Sequence, residues 1–511
     1  MTISELETET HGGTDRRDFF APGRNCWRVC DTRDLAVVRD GAAYFRALRE
    51  AMIAARRQVL LVGWDFDLEI ELLPGESDET GLAPDGYPNM LQDFFEAIVA
   101  EKPELHIHLL RWTGSVVLAP GRLVPMARLS MLGSDRIQAA FDGRHPVGAC
   151  HHQKIVVVDD QLAFCGGIDA TDGRWDTPEH APDDPRRRLR SGKDAMPWHD
   201  MTTALTGETA RALGDLARTR WERATGQVLP VPGAQDDPTW PASLEVTARG
   251  VTTAIARTEP PEQDRPVVNE IETMLADTIR AAQSLIYLES QYFASEAVAE
   301  ALGERLEEAD GPEVIVINPQ EAQGAIEDAA MHREREALVA TLQARDRYDR
   351  FRIWTPVNAA EEQIYVHAKV CVIDDWLLRV GSSNINSRSM AFDTECDVAV
   401  IGEDDATRQA IAGVRNGLVA EHLGASPEIL ARAVETRGSL VRTMDALNPP
   451  RGRGLRRLEK RGENPLADLV AQSKIFDPRY DENAMARRGV TSRHLVLGLG
   501  LAVAGYLLWQ L

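Results

Sequence analysis

The sequence predicts an α/β protein built from two similar halves, and three observations support that prediction. Short β-branched runs of strand length alternate with amphipathic segments, which is the pattern of α/β folds. A proline-rich stretch at residues 229–244 separates the two halves. The same polar residues then recur at the same spacing in each half, which indicates a duplicated unit.

Each half opens with an amphipathic helix that leads into an apolar strand. In the second half, Ile271, Leu275 and Ile279 recur at i, i+4 and i+8, which predicts one buried helix face. The predicted segments are an acidic disordered tail (1–24), the first half (25–228), the linker (229–244), the second half (245–445), a basic linker (446–494) and a C-terminal apolar run (495–511).

The charge balance disfavours nucleic acid as a partner. The 511 residues contain 57 Lys and Arg against 80 Asp and Glu, a formal net charge of −23. A surface this acidic repels a phosphate backbone, because nucleic acid is bound mainly by lysine and arginine. Six cysteines are too few for a disulfide scaffold. We therefore expect free thiols in a reducing compartment.

The uncharged run at 495–511 predicts a single-pass membrane anchor. As a helix it would reach about 26 Å, close to the roughly 30 Å hydrocarbon core of a bilayer. Arg487, Arg488 and Arg493 precede the run. Because cytoplasmic flanks are rich in positive charge, the body of the protein is predicted to be cytoplasmic. Burial of the run as a terminal core helix is the alternative.

Two short motifs carry the duplication. The first contains His152, Lys154 and Asp159, followed by Gly166, Gly167 and Asp169. The second contains His367, Lys369 and Asp374, followed by Gly381, Ser382 and Asn384. In both, Lys follows His by two positions, Asp follows Lys by five, and the first glycine follows Asp by seven. Each Asp is followed by a second Asp, which predicts a turn into a return strand.

This spacing suits chemistry on a phosphodiester. Residues i and i+2 of a strand face the same side, so each histidine points the same way as its lysine. A neutral imidazole is a nucleophile, a protonated one is a general acid, and lysine supplies charge for phosphate oxygens. If the two sets face each other, one histidine attacks phosphorus while the other protonates the leaving oxygen. The pattern contains no clear carboxylate cluster that would bind a catalytic metal, so we expect neither a metal nor a cofactor.

The two motifs resemble the paired HxKxxxxD signature of the phospholipase D superfamily, and flanking segments resemble its eukaryotic-type members. These segments are 172–180, 197–200, 289–293 and 385–389. The resemblance implies two α/β sandwich halves packed together with the active site at their interface. It also implies hydrolysis of phosphatidylcholine-like lipids through a covalent phosphohistidine, with His152 as nucleophile and His367 as acid.

The motifs and the resemblance together assign the site residues. His152, Lys154, Asp159, His367, Lys369 and Asp374 are predicted to be catalytic. Gly166, Gly167, Asp169, Ser382 and Asn384 are predicted to bind the phosphate. In the family an acid close to the strand VAVIG orients a catalytic histidine. Glu395 and Asp397 are the candidates here, and Asp397 is favoured as the last acid before that strand.

Four functions compete at this stage. The leading one is a membrane-associated phospholipase D that acts on a phospholipid bilayer with water or an alcohol as acceptor. A phosphatidyl transferase of the cardiolipin synthase type would use the same intermediate with a lipid alcohol. A nuclease is disfavoured by the net charge, and a non-enzymatic scaffold by the two intact motifs. Headgroup preference and oligomeric state stay open.

Overall fold

A computed structural model describes residues 16–115, 134–233, 240–262, 265–322, 325–458 and 476–479. The strands of the first half are β1 (Arg28–Arg39), β2 (Gln58–Gly63), β3 (His106–Trp112), β4 (Ile137–Asp142), β5 (Ile155–Val158), β6 (Leu162–Gly166), β7 (Trp198–His199) and β8 (Met201–Gly207). Its helices are α1 (Asp40–Ala54), α2 (Leu91–Glu101) and α3 (Glu208–Thr225), and a short 3₁₀ helix (Arg16–Phe19) precedes β1.

The second half repeats this alternation. Its strands are β9 (Ala248–Glu259), β10 (Val268–Asn269), β11 (Leu285–Glu289), β12 (Glu313–Ile317), β13 (Phe351–Val357), β14 (Tyr365–Val366), β15 (Val370–Ile373), β16 (Leu377–Gly381), β17 (Glu395–Ile401) and β18 (Gly454–Arg457). Its helices are α4 (Glu270–Ala281), α5 (Glu296–Glu307), α6 (Ala325–Arg345), α7 (Ser387–Ala391), α8 (Asp405–Leu423), α9 (Pro427–Arg437) and α10 (Leu440–Leu447).

One large mixed sheet runs through both halves. Its strand order is β18-β13-β12-β11-β15-β16-β17-β9-β1-β8-β6-β5-β2-β3-β4, with β10 paired to β9. Outward from the central β9–β1 pair, the two sides repeat the same order of equivalent strands, and β18 extends one edge. β1 and β9 are antiparallel, with Arg28 opposite Ile255 and Leu35 opposite Ala248. The halves are therefore duplicated and joined edge to edge.

Helices cover both faces of the sheet. In β2, Val59 and Leu61 face a core that includes α1 and α2, whereas Leu60 and Val62 face a core that includes α3. Since successive strand residues point to opposite faces, a strand covered on both sides is apolar throughout, which explains the run QVLLVG. The second half is built the same way, and the predicted apolar face of α4 is fully buried.

The Asp-Asp turns form as the sequence predicts. Asp159 and Asp160 have φ values of 53° and 56° and connect β5 to β6, and Asp374 and Asp375 have 46° and 57° and connect β15 to β16. Tight hairpin turns favour positive φ at both central residues, and aspartate tolerates that conformation better than most side chains. The return strands bring residues 166–169 and 381–384 beside the two motif strands.

The prediction of a C-terminal single-pass anchor is corrected. No helix in the part of the chain that the structure describes is long and apolar enough to cross a membrane. The predicted hydrophobic helix at 495–511, and the membrane localisation inferred from it, are thus without support. That run lies outside the described residues, as do residues 1–15 of the predicted tail, 234–239 of the predicted linker and most of the predicted basic segment at 446–494.

Candidate active site

Each motif enters its strand paired to the other half of the chain. The backbone N–H of His152 donates to the carbonyl of Thr394 at 2.9 Å, and that of His367 donates to the carbonyl of His199 at 2.7 Å. Short parallel pairings accompany both contacts: β14 with β7, and the bridge between His151 and Thr394. The two histidines are therefore placed where the halves meet.

His152 is held by a carboxylate of the second half. Its Nδ1 lies 3.0 and 3.1 Å from the two oxygens of Glu395, to which it donates. The Glu395 carboxylate also accepts hydrogen bonds from the Ser382 hydroxyl at 2.5 Å and the Ser389 hydroxyl at 2.7 Å. With Nδ1 engaged, Nε2 is the nitrogen left for a substrate.

The surroundings of His152 favour its neutral form. Burial lowers the pKa of the imidazole well below its ordinary value, and the positive charges of Lys154 and Lys369 lower it further. Burial also raises the pKa of Glu395 to about 8, against the opposing effect of the two serine hydroxyls. These surroundings therefore favour an uncharged imidazole, which is the form able to attack phosphorus.

His367 is held by a carboxylate of the first half. Its Nδ1 donates to Oδ2 of Asp200 at 2.6 Å, and the Asp200 side chain is fully buried. Burial alone would raise the pKa of Asp200, but His367 and Lys369 outweigh burial and lower it to about 2. Burial and Lys369 also lower the pKa of His367, and the Asp200 carboxylate opposes them. The ionised Asp200 carboxylate can thus stabilise a protonated His367.

The two lysines have different partners. Lys154 Nζ donates to the His152 carbonyl at 2.9 Å and lies 3.0 Å from Oδ2 of Asp169. Lys369 Nζ donates to the His367 carbonyl and lies 3.5 Å from Oε1 of Gln291. Burial lowers the pKa of Lys369 to about 7, with a further contribution from Lys154. The electrostatic effect of Lys154 on Lys369 indicates that the two lysines lie in one site.

Asp159 and Asp374, predicted to be catalytic, lie at the opposite ends of β5 and β15 from the histidines. Asp159 accepts the backbone N–H groups of residues 56–58 at 2.7 to 2.9 Å. Asp374 accepts those of residues 283–285 at 2.6 to 2.8 Å. Since each strand residue advances the chain by about 3.3 Å, these carboxylates are remote from the reacting atoms. Through these hydrogen bonds, the two carboxylates hold the N-terminal ends of β2 and β11 in place.

Most of the residues predicted to bind phosphate are engaged within the protein. The N–H groups of Gly166 and Gly167 donate to the carbonyls of residues 154 and 201. A Cβ at Gly167 would overlap the Asp200 carboxylate, so glycine is needed there for packing. Ser382 supports Glu395, and the Asp169 carboxylate pairs with a lysine. Asn384 differs, because its buried Oδ1 has no hydrogen-bond partner among the described residues.

The structure also differs from the favoured assignment of Asp397 as the acid that orients a histidine. Asp397 and Glu395 face the same side of β17, but Asp397 lies two residues deeper and opposite Gly381. There it pairs with Arg379 at 2.5 Å and accepts the N–H groups of Ser382 and Ser383. Glu395, at the strand end and one methylene longer, is the acid that reaches His152.

Family comparisons cover both motifs of this site. A family model described as "Phospholipase D" matches residues 138–302. A second, described as "Cardiolipin synthase, PLD-like domain", matches residues 275–412. The chain belongs to the phospholipase D superfamily.

Curated superfamily members of eukaryotes are similar over much of the chain. Phospholipase D A of Dictyostelium discoideum is 23% identical over 470 residues, which covers 76% of this chain and 35% of that protein. Phospholipase D alpha 1 of Carica papaya is 24% identical over 395 residues, which covers 54% of this chain and 49% of that protein. The chain thus spans half or less of the length of these relatives.

A solved structure shares the fold. The crystal structure of phosphatidylserine synthase from Haemophilus influenzae Rd KW20 aligns with a TM-score of 0.53 at 11% identity, over 81% of this chain and 97% of that one. At that identity the likeness concerns the fold alone.

Sequence reasoning missed two charged groups beside the superfamily histidines. One is Asp200, directly before β8, whose place in the first half corresponds to that of Glu395 in the second, as the pairings of β6 with β8 and β16 with β17 show. The other is Arg174, whose guanidinium stacks on the Trp198 ring at 3.9 Å and adds to the lowering of the His367 pKa by burial and Lys369. Both lie in segments that resemble the superfamily, so that resemblance was the available signal.

A fully buried polar cluster lies behind His199, whose carbonyl positions His367. Two sets of side chains, Asp40 with His180, His199 and Glu421, and His199 with Glu289 and His422, each bring their ligating atoms within 4.8 Å of one another. Imidazole nitrogens mixed with carboxylate oxygens are a donor set able to hold a metal ion. Burial lowers the pKa of His180, but the surrounding carboxylates outweigh it and raise it to about 9.

Proposed function

We propose that the chain is a phospholipase D that hydrolyses the distal phosphodiester bond of glycerophospholipids, with phosphatidylcholine-like lipids as substrates. One observation carries the proposal. Each motif histidine is fixed through Nδ1 by a buried acid of the other half, so two Nε2 atoms are presented to one site that contains two lysines. Double displacement at phosphorus needs that pairing of a nucleophile with a proton donor.

In the first step, Nε2 of His152 forms a bond to phosphorus and the bond to the headgroup oxygen breaks. His367 gives its proton to that oxygen. A negatively charged phosphate beside His367 raises the pKa of the imidazole, and the Asp200 carboxylate stabilises the charged form. Lys154, Lys369 and the Asn384 amide stabilise the non-bridging oxygens as charge builds up on them.

In the second step, water attacks the phosphohistidine and the bond from phosphorus to His152 breaks. His367, now neutral, takes the proton of the attacking water, so both histidines return to their starting forms. The product is phosphatidic acid. An alcohol that replaces water gives a phosphatidyl alcohol by the same route, which is transphosphatidylation.

A second candidate is a phosphatidyl transferase that uses a lipid alcohol as its acceptor. The match of residues 275–412 to a domain described by cardiolipin synthase supports it. Both candidates use the same first step and differ only in the acceptor. Product analysis in water, with added ethanol and with added phosphatidylglycerol, therefore separates them.

The test uses short-chain phosphatidylcholine, which is dispersed in water and needs no bilayer. We expect release of choline by the wild type, and losses of several orders of magnitude in His152→Ala and His367→Ala. His106→Ala, at an exposed position at the start of β3, is the matched control and should keep wild-type activity. Acid-labile labelling of the wild type, absent in His152→Ala, would identify the phosphohistidine. Turnover within tenfold of wild type in either site variant would refute the mechanism.

A further inference from the structure

The duplicated site is asymmetric at one charged position. Asp169 lies three residues after Gly166, and Asn384 lies three residues after Gly381, so the two occupy equivalent places in the repeat. Asp169 pairs with Lys154 at 3.0 Å, with both side chains less than a tenth exposed. Among the described residues, the acceptors of Lys369 are a backbone carbonyl and the Gln291 amide, and both are neutral. One lysine of the site thus pairs directly with a carboxylate, whereas the nearby Asp200 carboxylate bonds to His367 and acts on the other lysine only through space.

We propose that Asp169 sets the charge selectivity of the site, by cancelling Lys154 so that the site favours a monoanionic phosphodiester over a dianionic phosphomonoester. The inference rests on the proposed function, in which the substrate is a phosphodiester and the product a phosphomonoester. The residue would therefore limit inhibition of the enzyme by its own product.

Asp169 acts on the same atoms as the two lysines. The pKa of His152 is lowered by burial and by both lysines, and the Asp169 carboxylate raises it, so all of these charges lie within electrostatic reach of the nucleophile. A dianion carries one more unit charge than a monoanion and responds more strongly to each nearby charge. In a partly buried site one unit charge at such distances changes an anion's affinity by about tenfold or more.

The Asp169 carboxylate is fixed in place. Its Oδ1 accepts the backbone N–H of Trp64 at 3.0 Å. Gly63, directly before Trp64, leaves the room for it, because a Cβ there would lie 2.9 Å from the same oxygen. Asn384 has no comparable fastening, since its buried Oδ1 is without a hydrogen-bond partner among the described residues. A phosphate oxygen would meet a fixed negative charge on one side and an uncharged amide on the other.

The experiment measures the binding of two small probes by calorimetry at about pH 7.5. Methyl phosphate is mostly a dianion at this pH, and dimethyl phosphate is a monoanion of similar size. In Asp169→Asn, which keeps an oxygen for the Trp64 N–H, we expect methyl phosphate to bind about tenfold or more tighter than to the wild type. Dimethyl phosphate should gain clearly less. The reciprocal Asn384→Asp should weaken methyl phosphate more than dimethyl phosphate.

The outcomes separate this inference from the proposed function. If both variants keep the wild-type ratio of the two affinities, Asp169 does not set charge selectivity and the inference is overturned, whatever the turnover. If the ratios shift as expected but the wild type releases no headgroup from any lipid, the charge selectivity stands and the proposed function fails. If Asp169→Asn does not fold by thermal melting, Asn384→Asp decides alone, because its ratio must move in the opposite direction.

Discussion

Replacing Asp200 by asparagine should slow release of a leaving group that needs a proton and nearly spare release of one that does not. The carboxylate bonds to Nδ1 of His367 at 2.6 Å, and its surroundings lower its pKa from 3.8 to about 2. At about 1.36 kcal/mol per pH unit, that difference favours the ionised acid by about 2.5 kcal/mol. The neutral amide of asparagine cannot provide this electrostatic stabilisation when His367 is charged. We therefore expect roughly 60-fold slower protonation of the leaving oxygen.

The assay is rapid mixing of enzyme with two short-chain substrates, in which the burst of headgroup release reports the first step alone. Choline is a poor leaving group that needs a proton, whereas nitrophenol leaves without one. In Asp200→Asn we expect the choline burst to fall roughly 60-fold and the nitrophenol burst to fall less than about threefold. Glu395→Gln, which disturbs the nucleophile His152, should slow both bursts by similar factors.

The surface variant Asp215→Asn controls for general effects of this exchange, because that side chain is 44% exposed on α3 and pairs with Arg28 and Arg218. It should match the wild type with both substrates. If Asp200→Asn slowed the two bursts equally, then Asp200 would not act through protonation of the leaving group, and the assignment of His367 as the acid would be wrong.

Three further results are expected. The pKa of Lys369 is about 7, and its charged form binds the phosphate in the proposed mechanism. We therefore expect kcat/KM to fall as the pH rises above 7. The pH profile of Lys369→Arg should lack that fall. The pKa of His180 is about 9 in the folded protein, whereas its ordinary value is 6.5. Its protonation therefore stabilises the fold fully below pH 6.5, and this stabilisation is lost as the pH rises through 9. In calorimetric melting from about pH 6 to 10, the melting temperature of His180→Gln should decline less than that of the wild type. Asp374→Ala leaves three N–H groups without their acceptor and should lower the free energy of unfolding in urea by about 1 to 3 kcal/mol while KM stays unchanged.

The local features of the site could be predicted from the sequence because they depend on residues that are close in the chain. The repeated spacing of His and Lys directly before β5 and β15, and the Asp-Asp turns after these strands, are of this kind. The partners of the histidines could not, because Glu395 is 243 residues from His152 and Asp200 is 167 from His367. Period-two alternation put Asp397 and Glu395 on one face, and only the depth of each along β17 separates their roles.

The same limit applies to the fold. Alternating strand and helix patterns predict an α/β protein and the repeat predicts its duplication. The pairing of β1 with β9, which makes one sheet of the two halves, joins residues more than 200 positions apart and has no signature in either segment. The wrong prediction of an anchor came from hydropathy alone, and no helix in the described part of the chain has the length and apolar character to cross a membrane.

The exchange of carboxylates between the halves has a consequence for biosynthesis. A ribosome releases the first half before the second, and domains generally fold in that order. A nascent chain that ends before residue 395 holds His152 without the acid that aligns it, and one that ends before residue 367 lacks the second histidine. The first half therefore emerges carrying Asp200, the acid of a histidine not yet made. Under the proposed mechanism, catalytic competence appears only when β17 has been synthesised and has joined the sheet, and the enzyme is inactive for most of its own translation.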